Sequence, residues 1–312
     1  MTEMLFQIYT AAALLLACGL AATLLGVLLK RRRRADRDSC LRSRFLAELI
    51  GLLNGETESF SGLPRRVGAR RLLCEAMGGL VAMTYGLDGR PLRQIVERYG
   101  LDRWLLHRCR RRHGYRRARA LALMACLPVD ASMAASVAPW LRSANRYVRF
   151  YALTVQLSAD PSHAVQHIAA YPHRLSASEV AELMALLRRG ILPLAYGPLL
   201  EARNPNLRRV GLAIVRQFGV EEAEGRLLQF VADTAQPELG REALYALCAL
   251  RRSLLRREVA VHLTSMRPRE RRALLRCMAL EGYAQTTMQR LFEETERPYY
   301  ETLVRSYKRS LA

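Results

Sequence analysis

Apolar residues recur along most of this chain at three- and four-residue intervals, the period of one helical face. Leu41, Phe45, Leu49 and Leu52 mark such a face across Leu41–Asn54, which stops at Gly55. Glu56–Pro64 is polar and reads as a loop. Gly68–Tyr85 returns to the helical pattern, although Gly78-Gly79 weakens its middle by about 1 kcal/mol per glycine relative to alanine. Asp88-Gly89 signals a turn, and Pro91 suits the opening of the next helix. Nowhere do β-branched residues alternate long enough to predict a strand, so the chain reads as all-α.

From Tyr115 onward the pattern repeats. The segments Arg116–Leu123, Val148–Val155, Leu207–Ile214, Leu239–Ala246 and Arg269–Arg276 share a frame with a small residue in fifth place: Ala120, Ala152, Gly211, Ala243 and Ala273. Leucine follows each of them. The spacings are 32, 59, 32 and 30, and the long one holds a degraded copy, Ser178–Leu187, with Ala181 in the small position. Second amphipathic stretches lie between copies at Ser132–Leu141, Leu192–Glu201, Glu221–Val231 and Leu254–Leu263. A helix pair of about 30 residues cannot bury its apolar face alone, whereas stacked pairs bury it jointly. The small residue lets neighbouring backbones approach.

Leu199–Gly219 (LLEARNPNLRRVGLAIVRQFG) resembles a HEAT repeat, with a leucine-ended first helix, a short polar turn and an apolar-arginine pair opening the second. Trp140–Pro161 has the same layout, with Asn145 at the turn and Val148-Arg149 as the pair. Phe230–Leu250 departs from it, since Gly240 stands where the arginine belongs. The resemblance covers about 115–283 and implies a HEAT-like α-solenoid acting as an interaction scaffold. It also implies that Arg149 and Arg208, at the openings of second helices, bond neighbouring turns.

The N-terminal region adds a second expectation. Ile8–Leu29 runs 22 positions without a charge and ends at Lys30, Arg31, Arg32, Arg33 and Arg34. About 20 apolar residues suffice to span a bilayer, so the run predicts a single transmembrane helix. Arginine and lysine fall only on its C-terminal flank, which orients the N-terminus outward and the bulk of the chain into the cytoplasm of a bacterium, at its inner membrane. A cleaved signal peptide would open with a positive segment, which is missing. Leu15-Leu16-Ala17-Cys18 resembles a lipoprotein processing box, but the apolar run continues past it. The expected organisation is an anchor over 1–30, a basic juxtamembrane segment over 31–40, a helical cap over 41–114 and HEAT-like repeats over 115–312. Within the anchor, Cys18, Ala22 and Gly26 form a small-residue ridge that permits helix pairing.

Charge bears on partners. The net charge is +21, which points toward phosphates, nucleic acid or anionic headgroups. Lysine occurs only at Lys30 and Lys308, a bias that a GC-rich genome produces unaided. The densest soluble run is Arg103, Arg108, Arg110, Arg111, Arg112, Arg116, Arg117 and Arg119, opposed by Asp102 alone, a candidate surface for an anionic partner. Seven scattered cysteines without a CxxC pair make neither a disulfide framework nor a zinc module.

Candidate chemistry is sparse. His163 and His167 stand at i, i+4, but HAVQH lacks the glutamate of a zinc protease and a third ligand. His107, Cys109 and His113 lie in an arginine-dense run that repels cations. Glu221, Glu222 and Glu224 suit a helix start, where they meet its dipole. No phosphate loop, nucleophile elbow or kinase signature is present, and no catalytic residue, metal or cofactor is expected. The expected function is a non-enzymatic, membrane-tethered scaffold for a protein partner. Membrane-embedded envelope or polysaccharide-synthesis machinery, such as a glycosyltransferase, is the client considered. A basic nucleic-acid binder, with a groove like that of a DNA glycosylase, and an anionic-lipid surface module are the alternatives.

Overall fold

The computed structural model describes residues 2–57, 60–64, 68–84, 89–188 and 194–311, with side chains from Gly19 to Tyr307 within those ranges. Among the described residues every regular element is helical, as the three-to-four-residue period predicts. The chain divides into two compact units: 1–113 with 119–129, and 114–118 with 130–312.

The first unit opens with α1, an unbroken helix over Thr2–Leu53. It is followed by α2 (Ala69–Met83), α3 (Arg90–Tyr99), α4 (Leu101–Arg111) and α5 (Gly114–Ala125), whose first five residues belong to the second unit. Phe45 and Leu49 on α1 are buried, as are Leu72, Leu73 and Met77 on α2. Phe60, from the loop between them, sets its ring 5.8 Å from both Phe45 and Tyr99. Glu75 on α2 gathers Arg42 at 2.6 Å and Arg119 at 2.8 Å, tying α1 and α5 to it.

The expected transmembrane helix is overturned: among the described residues, no helix is long and apolar enough to cross a membrane. The side chains of 8–18 lie outside the described residues. The described apolar part, 19–29, is 11 residues and reaches only about 16 Å, roughly half of a hydrocarbon core. α1 then continues through Lys30–Arg34 into its buried Phe45–Leu49 turns. The expected anchor, juxtamembrane segment and start of the cap are therefore one helix, and the single-pass inner-membrane placement has no support.

The second unit is built from helix pairs. α6 (Ser132–Val137) continues as a 3-10 turn over Ala138–Arg142 and precedes α7 (Arg146–Ala159). Then come α8 (Ala164–Ala170) with α9 (Ala177–Arg188), and α10 (Tyr196–Glu201) with α11 (Pro205–Phe218). α12 (Glu224–Ala232) with α13 (Pro237–Ala249), α14 (Arg257–Ser265) with α15 (Pro268–Leu280), and α16 (Gln285–Leu291) with α17 (Arg297–Leu311) complete it. From α9 onward the second helix of each pair lies on that of the next, α9 on α11, α11 on α13, α13 on α15 and α15 on α17.

Local chemistry sets these boundaries. Asn145 Oδ1 accepts from the Val148 amide at 3.2 Å and caps α7; Asn204 Oδ1 accepts from Asn206 and Leu207 and caps α11. Pro205, Pro237 and Pro268 begin their helices, where a missing amide costs nothing. Ala152 and Ala243 are fully buried, Ala120 is buried and Ala273 is half-buried. Ala181 departs from expectation: it is exposed, and α9 buries Val180, Leu183, Met184 and Leu186 instead. The degraded copy therefore presents a different face.

Glycine marks the closest approaches. A Cβ on Gly211 would stand 3.1 Å from the Leu199 Cβ and 3.2 Å from the Leu200 amide nitrogen. At Gly240 it would meet the Phe230 carbonyl oxygen at 2.8 Å and the His262 ring at 2.7 Å. The residue that breaks the family-like pattern is thus where α13 comes nearest to α12 and α14. Gly79, also inside a helix, has nothing within 4 Å. Gly240→Ala should therefore lower unfolding free energy by about 1–3 kcal/mol. Gly79→Ala should raise it by roughly 0.5–1 kcal/mol. Urea denaturation of the two variants checks both signs.

Candidate functional site

The arginines expected to form one anionic-partner surface divide by their surroundings. α4 buries Leu101, Leu105 and Cys109 completely, which fixes the helix and turns its other side outward. Arg103, Arg110 and Arg111 fall at i, i+7 and i+8 on that outer side, and Arg112 follows the helix end. All four are exposed, and none of their guanidinium groups has an ion pair, hydrogen bond or ring contact among the described residues. Arg108 lies over the Trp104 ring, 4.9 Å from its centroid, a cation–π contact that holds its guanidinium. Arg119 faces α2, where Glu75 takes it. Arg116 and Arg117 belong to the second unit, in which Arg117 lies 5.5 Å from the Trp140 ring centroid.

On α1, Lys30, Arg31, Arg32, Arg33 and Arg34 are exposed. Arg37 extends the same basic stretch without an ion partner among the described residues.

The second unit treats arginine differently. Arg146 on α7 reaches Glu179 on α9 at 3.1 Å, and Arg209 on α11 reaches Glu238 on α13 at 2.6 Å. Arg241 on α13 bonds Glu270 on α15, and Arg271 on α15 reaches Glu296, just before α17, at 3.2 Å. Each pair joins one repeat to the next, with the glutamate in or beside the first turn of the receiving helix. There it also meets the positive end of the helix dipole. Glu221 and Glu224, expected at a helix start, are bound on another edge, to Arg252 and, for Glu224, to Arg256 at 3.0 Å.

Arg149 donates to the Ser143 and Ala144 carbonyls at 2.9 and 3.0 Å, and Arg208 to the Ala202 carbonyl at 2.6 Å. Both close the turn before their own helix. Arg209, one residue on, is the more buried group and was not singled out from sequence. It is 5% exposed and also donates to the Leu175 carbonyl, an acceptor that only the fold supplies.

His163 and His167 converge on Asp160, at 2.9 and 3.3 Å, and Ser162 donates to the same carboxylate at 2.7 Å. These bonds hold the Asp160 carboxyl well below the usual carboxylate range, His163 contributing most. Among the described residues no group of His, Cys, Asp and Glu is arranged to hold a metal ion. Cys109 is buried beneath the outward side of α4, and His107 is exposed on that side. Burial pushes the Cys74 thiol up to about 12, so it stays protonated.

Two buried charges yield predictions. Arg209→Ala strands the Leu175 carbonyl and unpairs Glu242, 3.4 Å away, whose burial raises its pKa. It should cost about 3 kcal/mol in denaturant unfolding. Arg251→Ala removes a pair to Glu281 whose arginine is 72% exposed, and should stay within about 0.5 kcal/mol of the parent. His262 titrates below its ordinary value of 6.5 because burial and the nearby Arg241 disfavour its charged form, against Glu270 and a backbone bond at Val231. A depressed base keeps its full contribution above the unfolded pKa and loses it as pH falls toward the folded one. Melting temperature should therefore decline as pH is lowered below about 6.5, and His262→Gln should flatten that decline.

No protein-family model, curated protein or solved structure matches this chain.

Proposed function

We propose that the chain is a non-catalytic, HEAT-like scaffold that binds a protein partner through its second unit. The observation that carries this reading is the repeat-to-repeat relay of Arg146–Glu179, Arg209–Glu238, Arg241–Glu270 and Arg271–Glu296. It occupies the charged groups with holding successive helix pairs in register. A stack locked this way presents its turns as a fixed surface, and a preorganised surface loses less freedom on binding.

The turns carrying Tyr171–Arg174, Asn204–Asn206 and Ala235–Leu239 adjoin and enclose a groove of about 490 Å³. Asn206 stiffens it by accepting from the Leu175 amide at 2.9 Å and donating to the His173 carbonyl at 2.8 Å. Pro172, Pro205 and Pro237 supply rigid apolar walls, while exposed His173 and Arg174 supply polar contacts. That mixture suits a polypeptide segment.

Affinity capture of the full chain from its own cells, followed by mass determination under native conditions, tests the reading. A stoichiometric complex is expected, weakened about tenfold or more by His173→Ala with Gln236→Ala. A chain recovered free of any partner, or a complex indifferent to both substitutions, contradicts it.

A further inference from the structure

The first unit holds an excess of positive charge that the fold leaves unanswered. Its 124 residues include 21 arginines and lysines against 10 acidic residues. Where the fold needs an arginine it provides a carboxylate, as Glu75 does for Arg42 and Arg119 and Asp38 does for Arg71 at 3.2 Å. Arg103, Arg110, Arg111 and Arg112 receive none among the described residues. Like charges this close along a helix repel one another, which offsets the modest gain that Arg110 and Arg111 draw from the helix dipole in the last turn, so the cluster adds little to the stability of α4. Its buried side, with Leu101, Leu105 and Cys109, already anchors the helix.

We infer that the outer side of α4 is a docking surface for the phosphate backbone of a nucleic-acid duplex, separate from the protein-binding role proposed above. Three features select this ligand. Protein interfaces centre on buried aromatic or aliphatic anchors, and α4 exposes no large apolar side chain. Single strands need large flat rings for base stacking, whereas Trp104, the one Phe, Tyr or Trp on α4, is half-buried and covered by Arg108, and only the small His107 ring is exposed there. A duplex backbone needs neither. It carries one negative charge per roughly 1.7 Å of axis, and α4 is about 16 Å long, so one helix length meets several phosphates. Guanidinium groups bind them with paired hydrogen bonds. Contacts of this kind go to the backbone and carry no sequence information.

The test uses the full chain and a 30-base-pair duplex of arbitrary sequence, with retention measured by fluorescence anisotropy from 50 to 200 mM salt. Four neutralised phosphates give a slope of about −3.6 in log K against log salt, a loss of roughly 150-fold over that range. Additional contacts from Lys30–Arg34 would steepen it. The variant R103Q/R110Q/R111Q/R112Q should flatten the slope by about 3 to 4. Its melting temperature should change little, because none of these guanidinium groups has an ion or hydrogen-bond partner among the described residues and the helix dipole adds only a little. The lysine counterpart at the same four positions should keep the slope, which provides a reading if the glutamine variant misfolds. A charge-matched control in the second unit, R203Q/R257Q/R269Q/R290Q, should leave it unchanged. The inference is overturned by absence of retention at 50 mM salt, by a slope the four α4 substitutions do not alter, or by equal flattening in the control. Binding to anionic phospholipid vesicles without binding to the duplex would likewise overturn it and assign the surface to a lipid headgroup.

Discussion

A guanidinium taken out of water must be met by a carboxylate or carbonyl, because burying an unpaired charge costs several kcal/mol. In the second unit that requirement is met across repeats. Arg209 on α11 is almost wholly buried, yet its partners Glu238 and Glu242 stand on α13 and the carbonyl it donates to, Leu175, lies before α9. No single helix pair could satisfy it. The pairing therefore fixes both which helices are neighbours and their offset along the stack. Hydrophobic contact alone is less particular, since an apolar stripe packs nearly as well one turn away. Leu207, Val210 and Ile214 supply the burial on one side of α11, and Leu212 and Val215 on the other. Arg209 supplies the register.

The same requirement explains what was legible in the sequence. The small-residue frame at Ala152, Gly211 and Ala243 reports close helix packing, and it identified the repeating pairs because sterics at a short distance tolerate few residue types. Asn145 was legible as a turn residue, whereas its capping bond and those of Asn204, to a backbone two or three residues ahead, belong to the folded chain. Relations across about 30 residues were not readable. An arginine beside a valine looks the same whether its glutamate lies on the next repeat or nowhere. Arg208 was singled out and Arg209 was not, although the second carries more of the packing. Gly240 looked like a flaw in the frame, and the contact with Phe230 and His262 that requires it exists only in the folded stack.

The N-terminal misreading has a different origin. Hydropathy registers apolar length without regard to what the helix does next. Along 19–29 the leucines and valine stand exposed, and the helix runs on through the basic block until Phe45 and Leu49 bury. The break in composition at Lys30 suggested a boundary between an anchor and a soluble body, yet the backbone has none there. Composition and secondary structure change at different residues, so a segmentation drawn from the first need not hold for the second.

Arginine richness is likewise informative only residue by residue. With 47 arginines among 49 basic side chains, counting them says little about function. What separates one from another is the nearest counter-charge. Arg146, Arg209, Arg241 and Arg271 are tied to glutamates on the next repeat, and their field is largely cancelled within a few ångströms. Arg103, Arg110, Arg111 and Arg112 have no such neighbour among the described residues, and their fields add outward. A bias in genome composition can place arginines on every exposed helix, but it does not supply glutamates at the matching positions of the next helix. The relay is therefore a property of the fold. The uncancelled side of α4 is where a ligand can still act as the counter-charge.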